Sequence, residues 1–122
     1  MRVLVCGGRD FSDVTLLRSA LDAHHEKSPI TLLIHGAAPG ADTLAGEWAE
    51  AKGIPVSPFP ANWKVLGRAA GPIRNKQMLD DGRPNLVIAM PGGRGTANMV
   101  NQAKAAGLPV KVIGEEETNS DA

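Results

Sequence analysis

Short continuous apolar runs alternate along this chain with segments in which apolar residues recur every three or four positions. This alternation predicts its secondary structure. Five short apolar runs, bounded by glycine, proline or polar residues, have the composition of buried strands. These predicted strands are Arg2–Cys6, Ile30–His35, Ile54–Ser57, Leu86–Met90 and Val110–Ile113. Between the runs, apolar residues recur every three or four positions, which indicates helices.

The predicted helices lie between consecutive strands. Ser12 is the predicted N-cap of the first helix, whose apolar face consists of Val14, Leu17 and Leu21. Three further helices are predicted at Asp42–Lys52, 72–81 and Thr96–Ala106. Residues 58–71 carry prolines and glycines and form the longest irregular segment. Long irregular segments in compact domains are often functional.

This alternation predicts an α/β fold, a Rossmann-like three-layer sandwich with a five-stranded parallel sheet and helices on both faces. Right-handed crossovers give the strand order 3-2-1-4-5. Strands 1 and 4 are then neighbours at the point where the strand order reverses, which is where such sheets bind ligands. Residues 1–114 are predicted to form one domain, and residues 115–122 a disordered acidic tail.

The charge balance and the apolar content of the chain limit the kinds of partner that it could bind. The chain has 122 residues, of which 13 are basic and 13 are acidic, and it has no basic block. We therefore expect neither duplex nucleic acid nor a membrane surface as the partner. No apolar stretch approaches the length of a membrane span, and the start of the chain is not a signal peptide, so we expect a cytoplasmic protein.

Few residues of this chain could bind a metal ion or act as a nucleophile. Cys6 is the one cysteine, so an intrachain disulfide is excluded, and we interpret it as a small buried apolar residue. The pattern of histidines, carboxylates and cysteine contains no recognisable metal-ligand cluster. The G-x-x-x-x-G-K-[ST] motif is absent, which argues against ATPase chemistry of the P-loop type. We expect neither a metal nor another cofactor.

The most informative segment is Pro91-Gly92-Gly93-Arg94-Gly95-Thr96. It lies between a predicted strand and a predicted helix, and its glycines leave backbone N–H groups accessible at the positive end of the helix dipole. That arrangement is typical of a phosphate or anion site. Thr96 is the predicted N-cap and offers a hydroxyl, and Arg94 adds a guanidinium.

Two more glycine turns follow the first and second strands. Gly7-Gly8-Arg9-Asp10 permits close approach of a ligand to the backbone, with Arg9 as a counter-charge. Asp10 is interpreted equally well as a turn carboxylate or as a ligand group.

In the second turn, 35–42, Gly36 and Gly40 expose backbone near a helix start. Asp42 is there the predicted N-cap, and His35 is interpreted either as a buried, hydrogen-bonded histidine or as a ligand group.

The segment before the fourth strand adds Trp63, Arg74 and Asn75. Arg74 is predicted in the first turn of a helix, where its charge opposes the helix dipole, and a bound anion would remove this conflict. Trp63 could stack on a base or anchor its loop in the core. Arg9, Arg74 and Arg94 are all expected near the carboxyl ends of strands 1 and 4.

Four motifs in order give the chain a family resemblance: GGRDF (7–11), HGAAPGAD (35–42), WKVLGRAAGPIRN (63–75) and PGGRGT (91–96). Together they resemble the YspA-related branch of the SLOG superfamily, formerly DUF2493, over residues 1 to about 113. That superfamily also contains the lonely-guy cytokinin-activating phosphoribohydrolases and the DNA-processing protein DprA. The resemblance implies a Rossmann-like fold that binds nucleotides or their derivatives.

The match to the lonely-guy signature P-G-G-x-G-T-x-E-E is incomplete. The phosphate-binding part is present, and Arg74 matches the upstream helix arginine. Asn98 and Met99 stand where those enzymes carry two glutamates. The resemblance therefore implies phosphate binding, whereas hydrolysis of the N-glycosidic bond lacks its usual carboxylate.

We expect the protein to bind a nucleoside phosphate or an ADP-ribose-like ligand, as a sensor or a processing enzyme. The predicted ligand-binding residues are Gly7, Gly8, Arg9, His35, Gly36, Gly40, Trp63, Arg74, Asn75, Pro91, Gly92, Gly93, Arg94, Gly95 and Thr96. One alternative is a nucleotide N-glycosidase that uses Asp10 or Asp42. A second is a protein-interaction module with a vestigial pocket. Homo-oligomerisation is also expected, because related folds often pair through helices beside the site.

Overall fold

The computed structural model describes residues 1–114, and the predicted acidic tail lies outside these residues. Its sheet has five parallel strands: β1 (Arg2–Cys6), β2 (Leu32–His35), β3 (Val56–Pro58), β4 (Leu86–Ala89) and β5 (Val110–Val112). Their order is β3-β2-β1-β4-β5, so the predicted fold class and strand order are confirmed. β2 and β3 each begin two residues later than predicted.

The strand register brings the carboxyl ends of β1, β2 and β4 to one edge. Leu4 of β1 is level with Ile34 of β2 and with Val87 of β4. The turns that follow Cys6, His35 and Ala89 therefore leave the sheet on the same side. This register places the three glycine turns of the sequence next to one another.

Within residues 1–114 there are five helices: α1 (Val14–Lys27), α2 (Ala41–Ala51), α3 (Trp63–Leu66), α4 (Ala70–Gly82) and α5 (Arg94–Ala105). All but α3 cover the sheet, and α3 contacts α4 instead. A 3₁₀ turn, Gly67–Ala69, joins α3 to α4. The segment predicted to be irregular thus contains a short helix of its own. Within the described residues, no helix is long and apolar enough to cross a membrane.

The core is divided by the sheet into two layers. Alternate strand residues such as Val3, Val5 and Ile88 pack beneath α1 and α2. The intervening residues, among them Leu4 and Val87, pack beneath α4 and α5. This alternation follows from the two-residue period of a strand, and it leaves the carboxyl edge of the sheet free to form a site.

Three predicted caps are wrong in position. Asp13, not Ser12, caps α1, since its Oδ1 accepts a hydrogen bond from the Leu16 N–H at 3.1 Å. α2 and α5 begin one and two residues earlier than predicted, with Gly40 and Gly93 as N-caps that make no side-chain hydrogen bond. Asp42 and Thr96 therefore lie inside the first turns of their helices, which frees both side chains for other partners.

Candidate functional site

A cavity of about 610 Å³ opens at the carboxyl edge of the sheet. This volume is within the range of small-molecule sites. Its lining comes from the turns after β1, β2 and β4 and from α4. Among the predicted site residues, those that line the cavity are Gly7, Gly8, Arg9, Asp10, Asp42, Arg74, Asn75 and the whole of Pro91–Thr96.

Backbone contacts hold the first and third turns together. The Gly8 N–H donates to the Pro91 carbonyl oxygen at 2.9 Å. A Cβ at Gly92 would collide with the Thr96 side chain and would lie 2.7 Å from the Gly8 nitrogen. Because no side chain fits between these turns, Gly8 and Gly92 keep the two backbones in contact.

The second turn joins the same assembly through Gly40. The Ala41 N–H donates to the Gly8 carbonyl oxygen at 3.1 Å. Gly40 has φ +78°, and a Cβ there would collide with the carbonyl oxygens of Gly8 and Arg9. Glycine is thus required at this position both for backbone conformation and for space.

The start of α5 lies at the cavity with its N-terminal N–H groups uncapped by a side chain. The first intrahelical bond of this turn runs from the Ala97 N–H to the Gly93 carbonyl oxygen at 3.0 Å. The preceding N–H groups have no acceptor within the helix. Arg94 is the first helical residue, so its positive charge adds to the positive end of the helix dipole. An anion would be stabilised by this combination.

Asp42 has a different role from the predicted cap. Its Oδ2 accepts hydrogen bonds from the N–H groups of Gly36 at 3.0 Å and Ala38 at 3.2 Å. The carboxylate therefore closes the turn that precedes its own helix. Burial raises the pKa of Asp42 above its usual value, while these hydrogen bonds and the charge of Arg74 act in the opposite direction.

Arg74 is the fifth residue of α4, not part of a first turn, so the predicted conflict with the helix dipole does not arise. Its Nη1 donates to the Gly36 carbonyl oxygen and its Nε donates to Asn75 Oδ1 at 3.1 Å. Burial lowers the pKa of Arg74, and Asp42 opposes that shift. Part of the guanidinium is thus committed to holding the β2 turn. The rest faces the cavity.

Asn75 is 4 % exposed and connects α4 to α5. Its Oδ1 accepts from Arg74, and its Nδ2 donates to the Gly95 carbonyl oxygen at 3.3 Å and to Asn98 Oδ1 at 3.0 Å. Both amide hydrogens are therefore used. Asn75 positions Arg74 and the glycine turn after β4, so it would contribute to ligand binding only indirectly.

The two positions where the lonely-guy signature has glutamates serve the fold here. Asn98 Oδ1 accepts hydrogen bonds from Asn75 and from Gln102 Nε2 at 2.8 Å. Met99 is fully buried in the core beneath α5. Neither residue lines the cavity.

Arg9 and Trp63 form the outer rim. The Arg9 guanidinium lies 5.2 Å from the centre of the Trp63 ring, within the range of a cation–π contact. Trp63 is 45 % exposed, so its second interpretation, an anchor in the core, is wrong. Asp10 is exposed at the cavity.

His35, Gly36, Gly40 and Trp63 are predicted site residues that do not line the cavity. His35 is buried, and its Nδ1 accepts a hydrogen bond from the Ala37 N–H at 2.9 Å. Burial lowers the pKa of His35. The interpretation as a buried, hydrogen-bonded histidine is confirmed. Ala37 has φ +57°, a strained conformation for alanine, and this hydrogen bond helps to hold it.

Four lining residues were not predicted: Cys6, Phe11, Ala38 and Met78. Phe11 and Ala38 lie within the predicted glycine-turn motifs, so the motifs themselves were a usable signal. Cys6 and Met78 are buried beneath the cavity, and sequence offers no signal that separates them from ordinary core residues. Burial raises the pKa of Cys6 to about 12, which keeps the thiol protonated at neutral pH. Within residues 1–114, no cluster of histidine, cysteine and carboxylate side chains could hold a metal ion.

The parallel sheet, its strand order and a glycine-lined cavity at the switch between β1 and β4 define a Rossmann-like α/β domain. A model of the YspA, cpYpsA-related SLOG family matches residues 1–65. The chain belongs to this family. It is also 37 % identical over 123 residues to the Gene 61 protein of Mycobacterium phage D29, an alignment that covers 94 % of this chain and 98 % of that protein. Membership of the SLOG family indicates a nucleotide-related function.

Proposed function

We propose that the protein binds a nucleotide or a nucleotide-derived ligand, with a phosphate at the start of α5. The observation that carries this proposal is the uncapped N-terminus of α5 at the cavity, with Arg94 as its first residue. The guanidinium and the positive end of the helix dipole repel each other, and an anion bound beside them would remove this repulsion. The Thr96 hydroxyl and the Arg9 guanidinium, both at the cavity, are further donors to that phosphate.

The rim supplies a surface for a flat group. The exposed ring of Trp63 lies beside Arg9, and a nucleobase can stack on either an aromatic ring or a guanidinium plane. Phe11 adds a partly buried ring at the cavity. Because of this stacking surface, a nucleotide should bind more tightly than phosphate alone.

Isothermal titration calorimetry against AMP, ADP, ADP-ribose, NAD and inorganic phosphate tests the proposal. We expect binding of at least one nucleotide, and at least a tenfold loss of that affinity in Arg94→Gln, since a hydrogen bond to a charged group contributes roughly 1.5–3 kcal/mol. Arg18→Gln, an exposed arginine on α1 that does not line this cavity, is the matched control. Absence of binding by every nucleotide would refute the proposal.

A second candidate function is hydrolysis of a nucleotide N-glycosidic bond. Asp42 favours it, because its buried carboxylate lines the same cavity as the phosphate site and its pKa is raised. Water would form the new bond to the ribose C1′ while the bond to the base breaks and the base takes up a proton. Incubation with AMP, NAD and ADP-ribose, followed by chromatography, should then release free base or a ribose phosphate. Asp42→Asn should abolish that release, and no turnover at high enzyme concentration would exclude these substrates.

A further inference from the structure

The two oxygens of Asp42 are used unequally. Oδ2 accepts both backbone hydrogen bonds of the turn, from Gly36 and Ala38. Within residues 1–114, Oδ1 takes no hydrogen bond, although the residue is only 6 % exposed. No side-chain nitrogen or oxygen in that part of the chain is both fully buried and without a partner. Oδ1 therefore reaches open space, and the cavity is the open space that Asp42 lines.

The cavity therefore offers two kinds of partner. One end, at the start of α5, offers N–H groups and Arg94. At the other end Asp42, beside Arg74, offers a carboxylate oxygen, which accepts hydrogen bonds. The second glycine turn is thus closed to phosphate, because a carboxylate already occupies its N–H groups. A ligand that satisfies both ends carries an anionic group and, separately, a hydrogen-bond donor.

We propose that Asp42 Oδ1 accepts a hydrogen bond from a ribose hydroxyl of a ligand whose phosphate lies at α5, so that the cavity selects ribonucleotides over deoxyribonucleotides. This inference rests on the proposed nucleotide binding and names the sugar it requires. The 2′ and 3′ hydroxyls are the donors closest to the phosphate in a nucleoside 5′-phosphate. An acidic residue after the second strand reads ribose hydroxyls in other parallel α/β sheets. Here the carboxylate comes from the first turn of α2.

The variant Asp42→Asn tests this contact. Its amide oxygen can accept the two backbone hydrogen bonds that hold the turn, while its NH₂ group takes the place of Oδ1. The turn is kept, and the acceptor that faces the cavity becomes a donor. Asp80→Asn is the matched control, because Asp80 is exposed and pairs only with Lys76 on the outer face of α4.

Calorimetry at neutral pH compares AMP with its 2′-deoxy and 3′-deoxy analogues, and ribose 5-phosphate with 2-deoxyribose 5-phosphate. In the unaltered protein, removal of the contacted hydroxyl should weaken binding by roughly tenfold or more, the range for a hydrogen bond to a charged group. In Asp42→Asn, AMP binding should weaken and the difference between AMP and that analogue should become smaller, because the hydroxyl then meets a neutral amide and not a charged acceptor. Asp80→Asn should behave like the unaltered protein.

Equal affinity of the unaltered protein for AMP and both deoxy analogues would overturn the inference and leave nucleotide binding intact. Discrimination of undiminished size in Asp42→Asn would also overturn it. The comparison of ligands in the unaltered protein does not depend on whether the variant folds, and circular dichroism checks the variant separately. If AMP and ribose 5-phosphate both fail to bind, this inference fails, whereas the proposed function fails only if ADP, ADP-ribose and NAD fail as well.

Discussion

Gly92 is a residue at which an added methyl group should disrupt the contact between the first and third turns. In Gly92→Ala the new Cβ would meet the Thr96 side chain and the Gly8 nitrogen, and that nitrogen is fixed by its hydrogen bond to Pro91. We expect the free energy of unfolding to fall by about 1–3 kcal/mol, the usual effect of overpacking, and nucleotide binding to be lost.

Gly95→Ala is the control for that variant. Gly95 lies in the first turn of α5, and a Cβ there would have no neighbour within 4 Å. Alanine favours a helix over glycine by up to about 1 kcal/mol, so the free energy of unfolding should stay unchanged or rise. Urea unfolding measures both variants, and equal stability of the two would contradict our account of the turn packing.

His35 should make stability depend on pH. Its Nδ1 accepts the Ala37 N–H, which only the neutral ring can do. Because burial lowers its pKa below the ordinary 6.5, the unfolded chain binds a proton more readily than the folded chain just below that pH. The free energy of unfolding should therefore rise as the pH increases through the range below 6.5 and level off above it.

His35→Asn separates this effect from that of other groups. The asparagine oxygen can accept the same N–H but does not titrate, so the pH dependence of stability should flatten. The slope that is left belongs in part to His24, whose pKa is also lowered by burial. Chemical unfolding between pH 5 and 8 provides the measurement. An unchanged slope in the variant would show that His35 does not contribute.

At the scale of elements, the site depends on the hydrogen bonds between α4 and α5. Asn75→Ala removes the acceptor of Arg74 Nε and the donor to Gly95 and Asn98. We expect a loss of about 1–3 kcal/mol in the free energy of unfolding, the effect of leaving buried polar groups without partners. We also expect weaker nucleotide binding, since Arg74 and the glycine turn lose their common support.

Gln77→Ala is the matched change on the exposed face of the same helix. It should alter the free energy of unfolding by no more than about 0.5 kcal/mol. Urea unfolding and calorimetry on both variants test the pair. An Asn75→Ala protein that is destabilised yet binds normally would mean that the α4–α5 contact serves the fold and not the site.

The elements themselves were predictable to different degrees. β1 has its predicted bounds, and β4 and β5 lie within one residue of theirs, because buried strands carry nearly continuous apolar runs. Helix starts were less accurate, since α2 and α5 both begin at glycine N-caps. Gly40 and Gly93 lack the side-chain signal that a cap usually gives. The short α3 has four residues, none of them buried, and is too short to show a helical period.

At the scale of the whole molecule, large apolar side chains are exposed beside the site. Val65 is 75 % and Ile73 is 49 % exposed, with Trp63 and Leu66 close by in sequence, on α3 and α4, which contact each other. The 13 basic and 13 acidic residues give no net charge to oppose self-association. We therefore predict a homodimer in which a second copy of the chain covers Val65 and Ile73 and leaves the ring of Trp63 free.

Light scattering at micromolar concentration tests the prediction. The unaltered protein should have the mass of a dimer, and the double substitution Val65→Gln and Ile73→Gln should shift it to a monomer. Lys64→Gln, at an exposed neighbouring position on α3, should leave the dimer intact. A monomer at every concentration would refute the prediction.

The sequence by itself determined the parallel sheet, its strand order and the three glycine turns that meet at one edge. These features follow from local patterns, since strand periodicity, crossover handedness and glycine content each act over a few residues. Only the tertiary structure decided what the polar residues at that edge do. Asp42 closes a turn and presents its second oxygen to the cavity, Asn75 holds two helices, and His35 is buried beneath the β2 turn. The reason is that a side chain's hydrogen-bond partner depends on which turns the sheet brings into contact, and that information is not local.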